Sequence, residues 1–297
     1  MSAVLLVNSQ VARGAVGGRA GLFALERLGH AVWFAPTVLL PWHPGHGKAT
    51  RFAIPDDAFA ALLADLTGTP KRAEIAAVAT GYFATPAQVE ATARAIATLK
   101  AERPDILYLC DPVMGDIRAD GTAGLYIPEA TAEAIKAELL PLADILTPNL
   151  FELSYLAGVA LPDTTGATVE AARALQRPTV VVTSAPALMR SAAGTLLVEG
   201  ATTLQAEHPL IAGAPHGTGD LIAALFLAQR LAGAASPKAL ERAAAATFDM
   251  AARAGRAGLD ELPLGPEHDT LASSLASVTL RQIGTAARPV RVKPSAL

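Results

Sequence analysis

The sequence predicts an α/β fold, a three-layer sandwich with a mostly parallel central sheet and helices on both faces. Three observations predict it. Short β-like apolar runs alternate with helix-like stretches along most of the chain, the pattern of a parallel sheet covered by helices. The chain has 297 residues, 52% of them hydrophobic, which is ample material for a packed core. No internal repeat and no linker rich in Pro, Gly and Ser divides it, so residues 1–285 are expected to form one domain and residues 286–297, with Pro289 and Pro294, a loosely held tail.

The elements follow in order. Residues 4–7 read as a buried strand. A glycine-rich turn leads into a helix over 20–28, which Gly29 ends. Residues 31–35 form a second strand, 56–66 a helix, 75–79 a third strand, and 86–100 a helix with Pro86 in its first turn. Strand 106–110, helix 128–140, strand 144–146 and helices 149–156 and 167–175 come next. Residues 179–183 are a Val-rich strand, and 194–199 with 202–206 read as a hairpin across Gly200. Three helices close the chain, over 217–231, 237–254 and about 266–283.

The formal net charge is −3 with 17% charged residues and no basic block, which argues against general nucleic-acid binding. Cys110 is the single cysteine, so neither an intrachain disulfide nor a multi-cysteine zinc site is available, and a reducing cytoplasm fits. The N-terminus lacks a basic leader, and no apolar run reaches the roughly 18 residues of a membrane span.

In open α/β sheets ligands bind beyond the carboxyl ends of the strands, so the residues found there carry the functional reading. Asn8-Ser9-Gln10 and a Gly-rich stretch from Arg13 to Gly18 follow the first strand. The stretch lacks the spacing of a dinucleotide fingerprint and an acidic residue after the second strand. Ser9 suits a small polar ligand or a turn. Pro41-Trp42-His43-Pro44-Gly45-His46-Gly47 cannot form regular structure and reads as an aromatic recognition loop, a lid or a metal site. Tyr82 could face a flat ligand or pack at the sheet rim. The fourth and fifth strands end in Cys110-Asp111-Pro112-Val113-Met114-Gly115-Asp116 and Thr147-Pro148-Asn149-Leu150-Phe151-Glu152. Magnesium takes one or two carboxylates plus water and phosphate oxygens, and Asp111 with Glu152 suits that chemistry. Thr183-Ser184 offers hydroxyls at the end of the sixth strand. Finally, Gly217-Thr218-Gly219-Asp220 opens an apolar helix. A helix N-terminus holds anions, and a carboxylate beside an anion site makes sense if it takes a proton from a hydroxyl attacking phosphate. By itself the tetrapeptide is equally an ordinary capped helix.

Together these motifs resemble pyridoxal kinase, of the ribokinase-like superfamily, in order from about residue 4 to about residue 254. Gly-Thr-Gly-Asp and Asp-Pro-Val-Met-Gly are shared with other vitamin kinases, whereas the first segment and the His43-Pro44-Gly45 loop are closer to pyridoxal kinases. The resemblance implies a ribokinase-like fold and transfer of the ATP γ-phosphoryl group to pyridoxal. It implies Asp220 as the base and the Gly217, Thr218 and Gly219 backbone as the cradle for the transferring group. It also implies that Asp111 and Glu152 organise Mg²⁺ around ATP, beside Asp116, Thr147 and Asn149, with a monovalent cation (K⁺) nearby. Thr183 and Ser184 would contact the nucleotide. Ser9 would bind the polar edge of the pyridine ring, Val16 and Tyr82 its faces, and His43, Pro44 and Gly45 would cover it. A homodimer is implied as well. Many family members read His-Thr-Gly-Tyr where this chain reads His43-Pro44-Gly45-His46, so a hydroxyl and a phenol are missing here. The segment from Thr183 to Gly217 is short and poor in lysine. A hydroxymethylpyrimidine kinase is the nearest rival reading, and a non-catalytic B6 sensor is the rival from another class.

Overall fold

The computed structural model describes residues 2–118 and 120–284. The expected tail over 286–297, and the domain boundary at 285, lie outside the described residues. Ten strands form one sheet. In chain order they are β1 (Ala3–Val11), β2 (Ala31–Leu40), β3 (Phe52–Ala53), β4 (Ile75–Thr80), β5 (Leu107–Cys110), β8 (Ile145–Leu146), β9 (Thr179–Ala185), β10 (Ala192–Glu199), β11 (Thr202–Pro209) and β12 (Thr279–Gln282). A separate hairpin pairs β6 (Gly115–Ile117) with β7 (Ala123–Leu125). The spatial order is β12-β11-β10-β9-β8-β5-β4-β1-β2-β3. Strands β2, β1, β4, β5, β8 and β9 run parallel, and the edges beyond β9 and β2 are antiparallel.

Strand β1 shows why the parallel strands read as unbroken apolar runs. Leu5 and Val7 pack into one core and Val4 and Leu6 into the other, so successive side chains leave opposite faces and both faces are buried. The first core is covered by α2 (Asp56–Gly68), α3 (Pro86–Glu102), α5 (Leu150–Ala157) and α6 (Thr165–Ala174), through Phe59, Ile96, Leu153 and Val169. The second is covered by α1 (Gly18–Arg27), α7 (Thr218–Leu231) and α8 (Ser236–Arg256), through Leu25, Phe226 and Leu240. After β1 and β2 the chain crosses back to place β4 on the other side of β1. The order therefore reverses between β1 and β4, the position where open α/β sheets leave a ligand crevice.

Several elements differ from the sequence reading. The expected helix over about 266–283 is only a short α9 (Asp269–Ala272) followed by the edge strand β12. Ser274 ends it: its hydroxyl accepts from Ala276 N–H at 3.1 Å and reaches Ala245 O at 3.2 Å. Beyond it Val278 and Thr279 are β-branched and favour a strand. The expected helix over 128–140 is α4 (Glu129–Ala134), then a π turn over Ile135–Leu139 and a 3₁₀ turn over Leu140–Leu142, because Pro141 has no N–H to continue the ladder. Ser9 does not follow the first strand but lies within it, at a bulge where pairing with β2 slips between Asn8 and Gln10.

Candidate active site

Gly217 sits at φ +92° at the head of α7, in the left-handed region. A Cβ there would also collide with the Ala15 carbonyl, so glycine is required twice over. The first-turn N–H groups of α7 have no carbonyl four residues back to bond, which leaves them free to face an anion. Asp220 lies in that same turn. Its Oδ2 accepts from Gly17 N–H at 2.8 Å, and its Oδ1 accepts a longer bond from Asn8 Nδ2 at 3.4 Å. Burial pushes the Asp220 carboxyl up, and these two donors partly offset the rise.

Asn8 was not assigned a role from the sequence, yet it joins three parts of the site. Its Oδ1 accepts from Ser9 N–H at 2.7 Å and from Tyr82 N–H at 3.0 Å, while its Nδ2 reaches Asp220. A Cβ on Gly81 would collide with its side chain. The ends of β1 and β4 are thus locked together under Asp220. Ser9 is buried with its hydroxyl against Gly17, and buried Val16 touches the turn at Gly217.

The carboxylates expected to serve a nucleotide come together on the neighbouring strand ends. Asp111 N–H pairs with Thr80 O, Thr147 N–H with Cys110 O and Thr183 N–H with Pro148 O, so the ladder runs on to the rim. Burial raises the Asp111 carboxyl well above its usual range, and the charges of Glu152 and Asp220 add to this. Asn149 and Glu152 form a capping box at the start of α5. Glu152 is buried; its Oε2 accepts from Asn149 N–H at 2.9 Å and its Oε1 from Met114 N–H at 2.8 Å. Burial lifts its pKa to about 7 against those donors. Asp116 is exposed on β6 and accepts from Ile117 N–H. Tyr126, also unassigned from the sequence, lies in the field of Glu152, Asp111, Asp220 and Asp116 together.

Two further features fit a bound, charged ligand. Thr147 Oγ1 is buried and makes no hydrogen bond of regular geometry among the described residues, though it lies near enough to Asp111 to favour its charged form. Val113 (φ +43°) and Ser184 (φ +54°) adopt left-handed backbone without being glycine, strain that concentrates at functional sites. No group of three or more His, Cys, Asp or Glu side chains among the described residues is arranged to hold a metal ion by itself. A magnesium here would complete its shell with water and phosphate oxygens, as magnesium usually does.

The loop after β2 forms a 3₁₀ turn over Pro44–His46, capped by His43, whose Nδ1 accepts from Gly45 N–H at 3.1 Å. Its ring lies 4.2 Å from that of His216, the residue before Gly217, and 6.1 Å from that of His46. Burial, then the neighbouring imidazoles of His216 and His46, lower the His43 pKa to about 4, so it is neutral at pH 7. The Tyr82 hydroxyl accepts from Arg51, whose guanidinium lies 5.2 Å from the Tyr82 ring centre. Thr183 and Ser184 stand at the end of β9 with no side-chain bond to the carboxylates among the described residues.

A family model for phosphomethylpyrimidine kinase matches residues 50–264. The chain is 37% identical over 271 residues to the pyridoxine/pyridoxal/pyridoxamine kinase of Bordetella pertussis, covering 89% of this chain and 93% of that one. It is 31% identical over 286 residues to pyridoxal kinase PdxY of Leifsonia xyli, covering 95% and 99%. The solved structure of pyridoxal kinase from Leishmania donovani in complex with ADP is similar at a TM-score of 0.85 and 29% identity, covering 95% of this chain and 99% of that one. The chain therefore belongs to the pyridoxal kinase family, carries a phosphomethylpyrimidine kinase domain and has the ribokinase-like α/β fold.

Proposed function

We propose that this protein is an ATP-dependent pyridoxal kinase that transfers the γ-phosphoryl group to the 5′-hydroxymethyl group of pyridoxal and related B6 vitamers. The relatives named pyridoxal kinase, and the related Leishmania structures with ADP and with ADP and pyridoxine, carry the activity and the substrate class. The mechanism rests on one observation above the others. Asp220, its carboxyl raised by burial, is held by Gly17 N–H in the first turn of a helix whose head is a left-handed glycine. A carboxyl of raised pKa in that position suits a general base. The substrate hydroxyl gives its proton to Asp220 as its oxygen bonds to the γ-phosphorus. The bond from that phosphorus to the β,γ-bridging oxygen breaks, and ADP leaves. The Gly217, Thr218 and Gly219 backbone stabilises the charge on the transferring group.

Asp111 and Glu152 would hold Mg²⁺ through water, with Asp116, Thr147, Asn149, Thr183 and Ser184 against the nucleotide and a monovalent cation beside the carboxylates. The metal neutralises phosphate charge when bound. Glu152 already spends one lone pair of each oxygen on a backbone N–H, which suits a water-mediated role better than direct ligation. Ser9, Val16, Tyr82 and the His43-Pro44-Gly45 loop would surround the pyridine ring. A homodimer and a cytoplasmic setting complete the proposal; no helix among the described residues is long and apolar enough to cross a membrane.

Hydroxymethylpyrimidine phosphorylation is the second reading, because the matched family model is named for a kinase of a substituted methylpyrimidine and the proposed catalytic turn suits either hydroxymethyl group. Turnover of pyridoxal, pyridoxamine, pyridoxine and hydroxymethylpyrimidine at equal concentration, with ATP and Mg²⁺, separates them.

A further inference from the structure

Glu261 lies after α8, far in sequence from every strand-end motif, and its side chain is only 16% exposed. Three segments of the site converge on it. Its Oε2 accepts from Ala15 N–H at 2.8 Å. Its Oε1 lies 3.2 Å from His46 Nε2, in the substrate loop, and 3.9 Å from an Arg13 guanidinium nitrogen. Its backbone bridges in parallel to His216, the residue that leads into Gly217.

The fit is close on each side. A Cβ on Gly14 (φ +111°) would stand 2.6 Å from both Glu261 oxygens, so the first loop reaches the carboxylate only through glycine. Ala15, whose N–H donates to Glu261, also carries the carbonyl that a Cβ on Gly217 would strike. On the other side, His43 packs on His216 at 4.2 Å and the His46 ring lies 5.9 Å from that of His216. The second nitrogen of His46 faces Asp260 at 3.3 Å, so the ring lies between two carboxylates; its Nε2 and Glu261 Oε1 are buried and make no hydrogen bond of regular geometry among the described residues, so their contact is one of charge and proximity.

We propose that Glu261 is a positioning residue for the phosphoryl transfer, setting the substrate loop at His46 and the first loop at Ala15 in fixed relation to the catalytic turn. The proposal rests on the kinase reading above. Glu261 touches neither the carboxylates nor the reacting groups; its effect passes through His46 and Ala15. Loop placement of this kind governs how the acceptor is presented, and small displacements are costly in rate. The device depends on His46 and joins the loop after β2 to the turn at Gly217.

Steady-state kinetics of Glu261→Ala and Glu261→Gln test it, alongside His46→Gln and the Glu261→Gln/His46→Gln double variant. Glu261→Gln keeps an acceptor for Ala15 N–H and removes the charge facing His46. The expected result is a KM for pyridoxal raised about five-fold or more in Glu261→Ala and about two-fold in Glu261→Gln, with KM for ATP unchanged within about two-fold. The losses of Glu261→Gln and His46→Gln should not add in the double variant. An unchanged KM for pyridoxal, equal rises in both KM values, or additive losses overturn the proposal. If Glu261→Ala does not fold, the Gln variants decide. Hydrogen exchange needs no turnover: faster exchange over residues 14–17 and 43–47 in Glu261→Gln supports the coupling, and unchanged exchange overturns it. Failure of the wild-type protein to phosphorylate pyridoxal counts against the kinase reading, which the exchange arm does not require.

Discussion

The backbone N–H of Gly17 donates a 2.8 Å hydrogen bond to Asp220 Oδ2 across 203 residues of sequence. This bond fastens the start of α1 to the first turn of α7, so one oxygen of the aspartate is fixed by main chain, a donor that cannot rotate away. The other oxygen accepts a longer bond from the Asn8 side chain.

Asp220→Asn should lower turnover by about 100-fold or more, the low end for a general base. Its effect on stability should have the opposite sign. Burial raises the Asp220 carboxyl above its usual range, so the folded state binds that proton more tightly than the unfolded chain. Its contribution to stability is therefore full below the ordinary carboxylate range and is lost as pH rises through the raised value. Removing the charge should leave the melting temperature at pH 7 equal or higher. Calorimetry beside the kinase assay reads both; a lower melting temperature with intact turnover would make Asp220 a structural cap.

The pH dependence should carry the mark of Glu152, whose pKa stands at about 7 because the carboxyl is buried. If its charged form organises the metal, kcat/KM for ATP rises as pH passes upward through about 7. Added Mg²⁺ should move that limb to lower pH, since a cation favours the carboxylate. Stability runs the other way, full below the ordinary Glu value and lost through about pH 7. Glu152→Gln should flatten the limb. It also leaves Met114 or Asn149 N–H without its acceptor, at a cost of about 1–3 kcal/mol on denaturant unfolding.

Thr147→Val separates ligand binding from packing. Its hydroxyl is buried without a regular partner, so the isosteric change should leave unfolding stability within about 1 kcal/mol of wild type or improve it. If that hydroxyl serves the nucleotide or its metal, KM for ATP should rise several-fold. An unchanged KM would remove Thr147 from the site.

Gly217→Ala should be the harshest of the small changes. It forces a Cβ into the left-handed region and onto the Ala15 carbonyl. Backbone strain of this kind costs about 1–3 kcal/mol, and relief requires moving the turn proposed to cradle phosphate. Turnover should fall while pyridoxal binding, followed by calorimetry, changes less.

Much of this was legible in the sequence because local rules and tertiary structure agree. The apolar runs of β1, β4 and β9 are buried on both faces, and Asn149 and Glu152 stand at the spacing of a capping box. The motifs at the strand ends named Asp111, Glu152 and Asp220, which the fold brings into one electrostatic neighbourhood. What stayed hidden depends on contacts between distant segments. Asn8 looks like an ordinary residue after a strand until β4 is laid beside β1. Tyr126 and Glu261 lie outside every motif, and only the folded chain carries them to the carboxylates and to His46. The missed strand β12 has a similar cause, since its residues are exposed and its partner β11 lies 70-odd residues earlier, beyond the reach of helical spacing rules.

The most direct test is the initial rate of phosphorylation by the purified protein with ATP and Mg²⁺, on a panel of pyridoxal, pyridoxamine, pyridoxine and hydroxymethylpyrimidine. The expected result is phosphorylation of B6 vitamers at the 5′-hydroxymethyl group, pyridoxal included, with hydroxymethylpyrimidine slower. No phosphorylation of any B6 vitamer, or hydroxymethylpyrimidine as the fastest acceptor, would contradict it.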